Sequence, residues 1–207
     1  MRNSNNIIYY VLGVLAIVFM VYRGQPFSLS PLTIIIIGIN ILIFILVKIK
    51  LLSIDKLGSS YYTVFEKHGF HRIVTAMFTH EEFWHILCNM ISIYNIMPFI
   101  ERTTSFSTAI IVYLATGIVG GFISCALHKK DFFTLSIGAS GAICGTFGFM
   151  IIWMIKTGLF MTNIRSIIIT LVLLAMMTFS SKIDSKCHFS CLACGLVAGI
   201  IYILICP

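Results

Sequence analysis

Apolar residues in this chain gather into long unbroken runs separated by polar connectors, not into the narrow stripes of a water-soluble amphipathic helix. A helix that crosses a bilayer needs roughly 20 mostly apolar residues at about 1.5 Å each. Six runs approach that length: Leu32 to Val47, Phe83 to Ile100, Phe106 to Leu127, Leu135 to Ile155, Ile164 to Phe179 and Cys187 to Cys206. A seventh, Ile7 to Tyr22, is shorter and follows Arg2, but no small-residue cleavage site stands behind it, so it is read as a retained N-terminal helix. The pattern predicts an all-α polytopic membrane protein. Residues 31–207 form a six-helix core, and residues 1–30 form an N-terminal segment with an extra transmembrane helix. No repeat, low-complexity tract or Pro/Ser-rich linker divides the core, and a single membrane domain is expected.

One connector, Lys48 to Glu82, is far longer than the rest. Loops of that length between packed elements are usually functional or interfacial. Its stretch Val64 to Phe78 can be drawn as an amphipathic helix in the head-group plane, with Phe65, Phe70, Ile73 and Met77 turned toward lipid. A merely solvated loop is the alternative.

Composition agrees with the pattern and narrows the function. Hydrophobic residues make up 59% of the 207 and charged residues only 10%, against about a quarter in soluble domains. That deficit excludes a nucleic-acid binder, a disordered tail and a soluble enzyme. The net charge of +7 is therefore loop charge facing the head groups of the lipid bilayer, and no nucleic-acid partner is expected. With the N-terminal side of the Leu32 helix cytoplasmic, that side holds at most Arg2, Arg23, Arg102, Lys156 and Arg165. The other side holds Lys48, Lys50, Lys56, Lys67, Arg72, Lys129, Lys130, Lys182 and Lys186. That bias runs against the positive-inside rule.

In so apolar a chain, polar side chains within spans carry the information, since each is costly unless it is paired or used. His85 and Asn89 stand four apart on one helical face, with His80 upstream. The fourth core span opens with Ser136-Ile-Gly-Ala-Ser140-Gly-Ala-Ile-Cys-Gly145, where glycines surround a hydroxyl. On its own such a run is a helix-packing face. The last span opens on Cys187-His188 and continues through Gly195 and Gly199. Together these pieces compose a reaction site. A serine hydroxyl becomes a nucleophile when a neutral imidazole takes its proton, and the oxyanion formed needs preorganised donors. Ser140 and His188 are the catalytic candidates; the Ser140 N–H, Asn89 and His85 are the oxyanion donors. No Asp or Glu lies inside a core span, Glu101 being at an exit, so a dyad is expected and not a triad.

The order Thr79-His80, His85-Ile-Leu-Cys-Asn89-Met90, Glu101, Tyr113 and Gly117, Gly138-Ala-Ser140-Gly141, then His188 with Gly195 resembles the rhomboid family of intramembrane serine proteases. The resemblance implies a six-helix bundle whose dyad sits in a water-filled cavity open to the outer side, cutting single-span membrane proteins near the outer face of the cell membrane. It assigns Ser140 as nucleophile, His188 as base, and His85, Asn89 and the Ser140 amide as oxyanion hole. Gly138, Gly141, His80, Arg72 and Glu101 are supporting residues: Gly138 would allow the turn before the serine, and Arg72 matches half of a Trp-Arg pair in the long loop, His71 replacing the Trp.

The chain departs from the pattern at three places. Cys144 stands where an aromatic residue usually stacks on the imidazole, with Cys187 and Cys191 flanking His188, and Met97-Pro98 replaces a Gly pair, where proline should end the helix. A catalytically inactive rhomboid-like protein that binds transmembrane helices is the alternative, though such a chain would normally lack Ser140 or His188. Cys187, Cys191 and Cys194 have the spacing of an iron–sulfur motif, yet inside an apolar helix; no metal and no cofactor are expected.

Overall fold

A computed structural model describes residues 30–178 and 184–206 of the chain. The Ile7 to Tyr22 helix and the end of the fifth predicted run lie outside the described residues.

The predicted spans appear as helices α1 (Pro31–Lys48), α4 (Phe83–Thr103), α5 (Phe106–Leu127), α6 (Ser140–Lys156), α7 (Ile164–Thr178) and α8 (Ser185–Ile205). Within the loop after α1 lie α2 (Ile54–Leu57), a π-helical turn (Tyr62–Glu66) and α3 (His71–Ala76). Four helices (α1, α4, α5 and α8) are long and apolar enough to cross a membrane; α6 and α7 are apolar but shorter. The result is a helical membrane bundle.

Helix α1 starts with Pro31 at its first position, where a missing N–H costs nothing. Its Leu32 N–H donates to Glu101 Oε2 at 3.2 Å, so a carboxylate from the end of α4 caps it. Leu32, Thr33, Ile36 and Asn40 are buried, while Ile34, Ile35, Ile41, Leu42 and Ile45 are exposed, as a lipid-facing surface requires.

Two expectations about helix ends are corrected. Pro98 does not end α4, which continues to Thr103. Beyond the proline, Arg102 Nε, Thr103 Oγ1 and Thr104 Oγ1 donate to the carbonyls of Pro98, Phe99 and Ile100, which holds the last turn together. The fourth span does not begin at Leu135: Ser136 lies in an isolated antiparallel bridge to Ser59, the chain turns through Gly138 and Ala139, and the helix starts at Ser140. Non-helical backbone among spanning helices must find partners in protein, and it does. Ser136 exchanges two backbone bonds with Ser59, at 2.7 and 3.1 Å, and Gly138 N–H donates to Ala76 O at 2.8 Å.

The long loop therefore packs onto the bundle, and two of its residues expected to face lipid do not. Ile73 and Met77 point into protein, each 5% exposed, and only Phe70 of the four expected lipid contacts is well exposed. Ile73 packs with Val64 and Cys125, and Met77 joins the main core. Arg72 staples the loop to itself, its Nη1 donating to Asp55 O at 2.6 Å and Gly58 O at 3.4 Å.

Helices α6 and α8 meet backbone to backbone along a glycine seam. A Cβ on Gly195 would fall 1.8 Å from Gly145 O, one on Gly148 2.7 Å from Leu192 O, and one on Gly199 2.7 Å from Ile152 Cβ. Small residues that admit such approach are the means by which helices associate in lipid, where no hydrophobic drive separates protein from solvent.

Candidate functional site

The segment that reaches Ser140 turns at Gly138, whose φ of +110° suits glycine. A Cβ there would also strike the His85 ring, 2.6 Å from Cε1. Ala139 N–H then points at His80 Nε2 at 3.3 Å, and Ser140 begins α6. On the facing helix, His188 lies in the first turn of α8. The glycine seam holds the two helix starts together, and His188 Nε2 and Ser140 Oγ are 2.7 Å apart. Both residues are buried.

The expected oxyanion donors gather from the start of α4. His85 Nε2 and Asn89 Oδ1 are buried with no hydrogen-bond partner among the described residues. Asn89 Nδ2 donates to His80 Nε2 at 2.8 Å, and the His80 and His85 rings meet edge to face at 5.0 Å. His80 Nε2 thus accepts from two N–H groups, which requires its neutral form. Burial, reinforced by the nearby His85, holds its pKa well below the ordinary imidazole value, at about 3. His80 orients both Asn89 and the residue before the serine, a more definite place than the sequence offered.

Gly141 lies under two sulfurs: a Cβ would meet Cys187 Sγ at 2.8 Å and Cys191 Sγ at 3.1 Å. Those thiols are 3.9 Å apart, and Cys144 is buried in the same core. Among the described residues no group of three or more ligating side chains is placed to hold a metal ion. Arg72 and Glu101 stand away from this cluster, the first in the loop and the second at the opposite end of α4.

A family model described as the Rhomboid domain matches residues 67–206. The chain belongs to the rhomboid family. Its relatives include "RHOMBOID-like protein 5" of Arabidopsis thaliana, 27% identical over 73% of this chain and 50% of that protein. "Putative rhomboid protease YdcA" of Bacillus subtilis (strain 168) is 30% identical over 65% of this chain and 66% of its own. "Rhomboid-like protease 1" of Toxoplasma gondii is 27% identical over 70% and 51%. The chain thus spans about half to two thirds of these relatives' lengths. As a rhomboid it is an integral multi-pass membrane protein whose family supports an intramembrane protease-like function.

Sequence reasoning missed a second polar cluster beside this rhomboid's Ser140–His188 pair. Asp184 accepts from His128 Nε2 at 2.8 Å, Ser124 Oγ at 2.9 Å and the Cys187 N–H at 3.1 Å, and Ser136 Oγ also donates to it. Burial raises this carboxyl, but the bonds from His128, Ser136, Ser124 and the Cys187 N–H prevail and hold it below the usual carboxylate value. The signal was available: an Asp directly before an apolar helix is a helix N-cap.

Proposed function

We propose that this rhomboid is an intramembrane serine endopeptidase that cuts transmembrane-helix substrates near the outer face of the cell membrane. The observation that carries the reading is the 2.7 Å contact between the buried Ser140 Oγ and His188 Nε2. A hydroxyl at that distance can pass its proton to a neutral imidazole as its oxygen attacks a peptide carbonyl. The carbonyl becomes an oxyanion. His85, the Asn89 amide and the Ser140 N–H are the donors that would receive it, His85 bearing its proton on Nε2 for the purpose. Protonated His188 then gives its proton to the leaving amine, and the acyl group remains on Ser140 until water, deprotonated by His188, releases it. The substrate class is a single-span membrane protein, unwound where it is cut, because a helical peptide bond is shielded by its own hydrogen bonds.

The test is covalent labelling of the purified chain in detergent by a fluorophosphonate probe, beside Ser140→Ala and His188→Ala. Labelling of the wild type that is lost in both variants supports a base-activated serine. A folded wild type that fails to label refutes it and favours an inactive helix-binding rhomboid-like protein.

A further inference from the structure

The starts of α6 and α8 are tied together by one buried carboxylate as well as by the glycine seam. Asp184 lies four residues before His188 and caps α8: its Oδ1 accepts from the Cys187 N–H, and its backbone carbonyl accepts from Cys187 N–H at 3.1 Å and His188 N–H at 3.3 Å. Its Oδ2 accepts from Ser136, four residues before Ser140 in the segment that leads into α6. The same Oδ2 accepts from Ser124 of α5, and Oδ1 from His128 just beyond that helix. Each strand of chain that delivers a member of the Ser140–His188 pair is therefore fastened to this one side chain.

An outer layer secures the clamp. Lys186 Nζ contacts Leu127 O at 3.2 Å, Asp131 Oδ2 at 3.1 Å and His128 Nδ1 at 3.4 Å. His128 Nδ1 also lies 3.6 Å from Asp131 Oδ2, while its Nε2 faces Asp184. The titratable groups around Asp184 are thus His128 and Cys125 of the α5 side, Asp131 of the following loop, and Lys186, Cys187 and His188 of α8. Every oxygen of the carboxylate is engaged, as a buried charge requires. An uncompensated carboxylate at this depth would be costly, so the arrangement constrains geometry strongly.

We infer that Asp184 is a positioning residue for the proposed Ser–His pair, holding the first turn of α8 against the segment that carries Ser140 so that the imidazole meets the hydroxyl. The inference rests on the endopeptidase reading for its kinetic readout but not for its spectroscopic one. Asp184 touches neither substrate nor the reacting atoms; it acts through His188 and Ser140.

The experiment compares wild type, Asp184→Ala, Asp184→Asn and Ser136→Ala as full chains in detergent. It measures thermal unfolding, the saturating rate and half-saturating probe concentration of fluorophosphonate labelling, and the imidazole 15N shifts of His188. Asp184→Ala should lower the saturating rate about tenfold or more with the half-saturating concentration changed less than about twofold, because misplacement by a fraction of an ångström acts on the reacting geometry. Asp184→Asn should recover to within about threefold of wild type, since Asn caps as well as Asp and its amide can bond the same hydroxyls. Ser136→Ala, which cuts only the link toward Ser140, should fall between. The His188 Nε2 shift should move in Asp184→Ala at temperatures where that variant is folded, and return in Asp184→Asn. Wild-type rates in Asp184→Ala, or an Asp184→Asn no faster than Asp184→Ala, would overturn the inference. Should Asp184→Ala not fold, Ser136→Ala decides: a wild-type rate there overturns it. A wild type that does not label defeats the endopeptidase reading alone, and an unchanged His188 shift in folded Asp184→Ala then defeats this one.

Discussion

Replacing Gly195 by Ala tests whether the α6–α8 seam sets the reacting distance. The added Cβ would stand 1.8 Å from Gly145 O and 2.6 Å from Gly145 C, both rigid backbone atoms, whereas real Cβ atoms essentially never approach closer than 3.0 Å. Relief therefore requires α8 to withdraw from α6 by about 1.2 Å or more, since no side chain can rotate aside. If that shift reaches the helix starts in full, the Ser140–His188 contact lengthens from 2.7 Å to about 3.9 Å, beyond hydrogen-bond range. Overpacking of this kind costs about 1–3 kcal/mol or more in stability, and an ångström of misplacement costs about a hundredfold in rate. Fluorophosphonate labelling rate and melting temperature in detergent measure both effects. Gly38→Ala is the control: it lies in α1 with nothing within 4 Å of the new Cβ, and it should be neutral or gain up to about 1 kcal/mol. A Gly195→Ala protein that labels and melts like wild type would refute the reasoning.

Gly138→Ala combines a positive φ with a collision on the His85 ring, so it should cost about 1–3 kcal/mol and slow labelling at least tenfold; a normal rate would mean that the turn relaxes freely. Glu101→Ala removes the cap on Leu32 N–H and should lower stability by about 1 kcal/mol while leaving labelling unchanged, because the cap lies at the far end of α4 from Ser140. The Asp184 carboxyl is held below its ordinary value in the folded protein, so its stabilisation is complete above the unfolded value of about 3.9 and is lost as pH falls through the folded one. Below pH about 4, melting temperature should fall more steeply with pH for wild type than for Asp184→Asn, and parallel slopes would disprove that linkage.

The helical membrane bundle was legible because apolar length is a coarse signal that the bilayer enforces. The run Phe106 to Leu127 coincides with α5, and Phe83 to Ile100 differs from α4 only at the capping turn. What escaped was backbone satisfied by distant residues. Gly138 marks the turn before Ser140, but nothing in Leu135 to Ile137 excludes a helix there; the decision belongs to Ser59 and Ala76, which bond to Ser136 and Gly138 from the long loop after α1. The proline rule describes a helix alone; here α4 runs on to Thr103, its last turn held by side chains that donate to the carbonyls of Pro98, Phe99 and Ile100. Periodicity puts Ile73 and Met77 on an apolar face without naming what covers it, and protein covers both.

At the site, the sequence offered Ser140, His188, His85 and Asn89, and the fold brings all four to one end of the bundle, with His80 bridging Asn89 and Ala139. Within the spans a charge is expensive, and no third acid is expected there. Asp184 sits just outside one, at a helix start, where a carboxylate is favoured by the helix dipole and can still reach inward. Rim cations carry the same ambiguity: Lys186 and Arg72 count as loop charge, yet Lys186 bonds Asp131 and Arg72 bonds the Asp55 and Gly58 carbonyls. A polar residue at the rim of a membrane helix therefore carries two readings, lipid contact and internal tie. Only the partners supplied by the fold distinguish them, and here those partners join the two chain segments whose meeting the proposed chemistry requires.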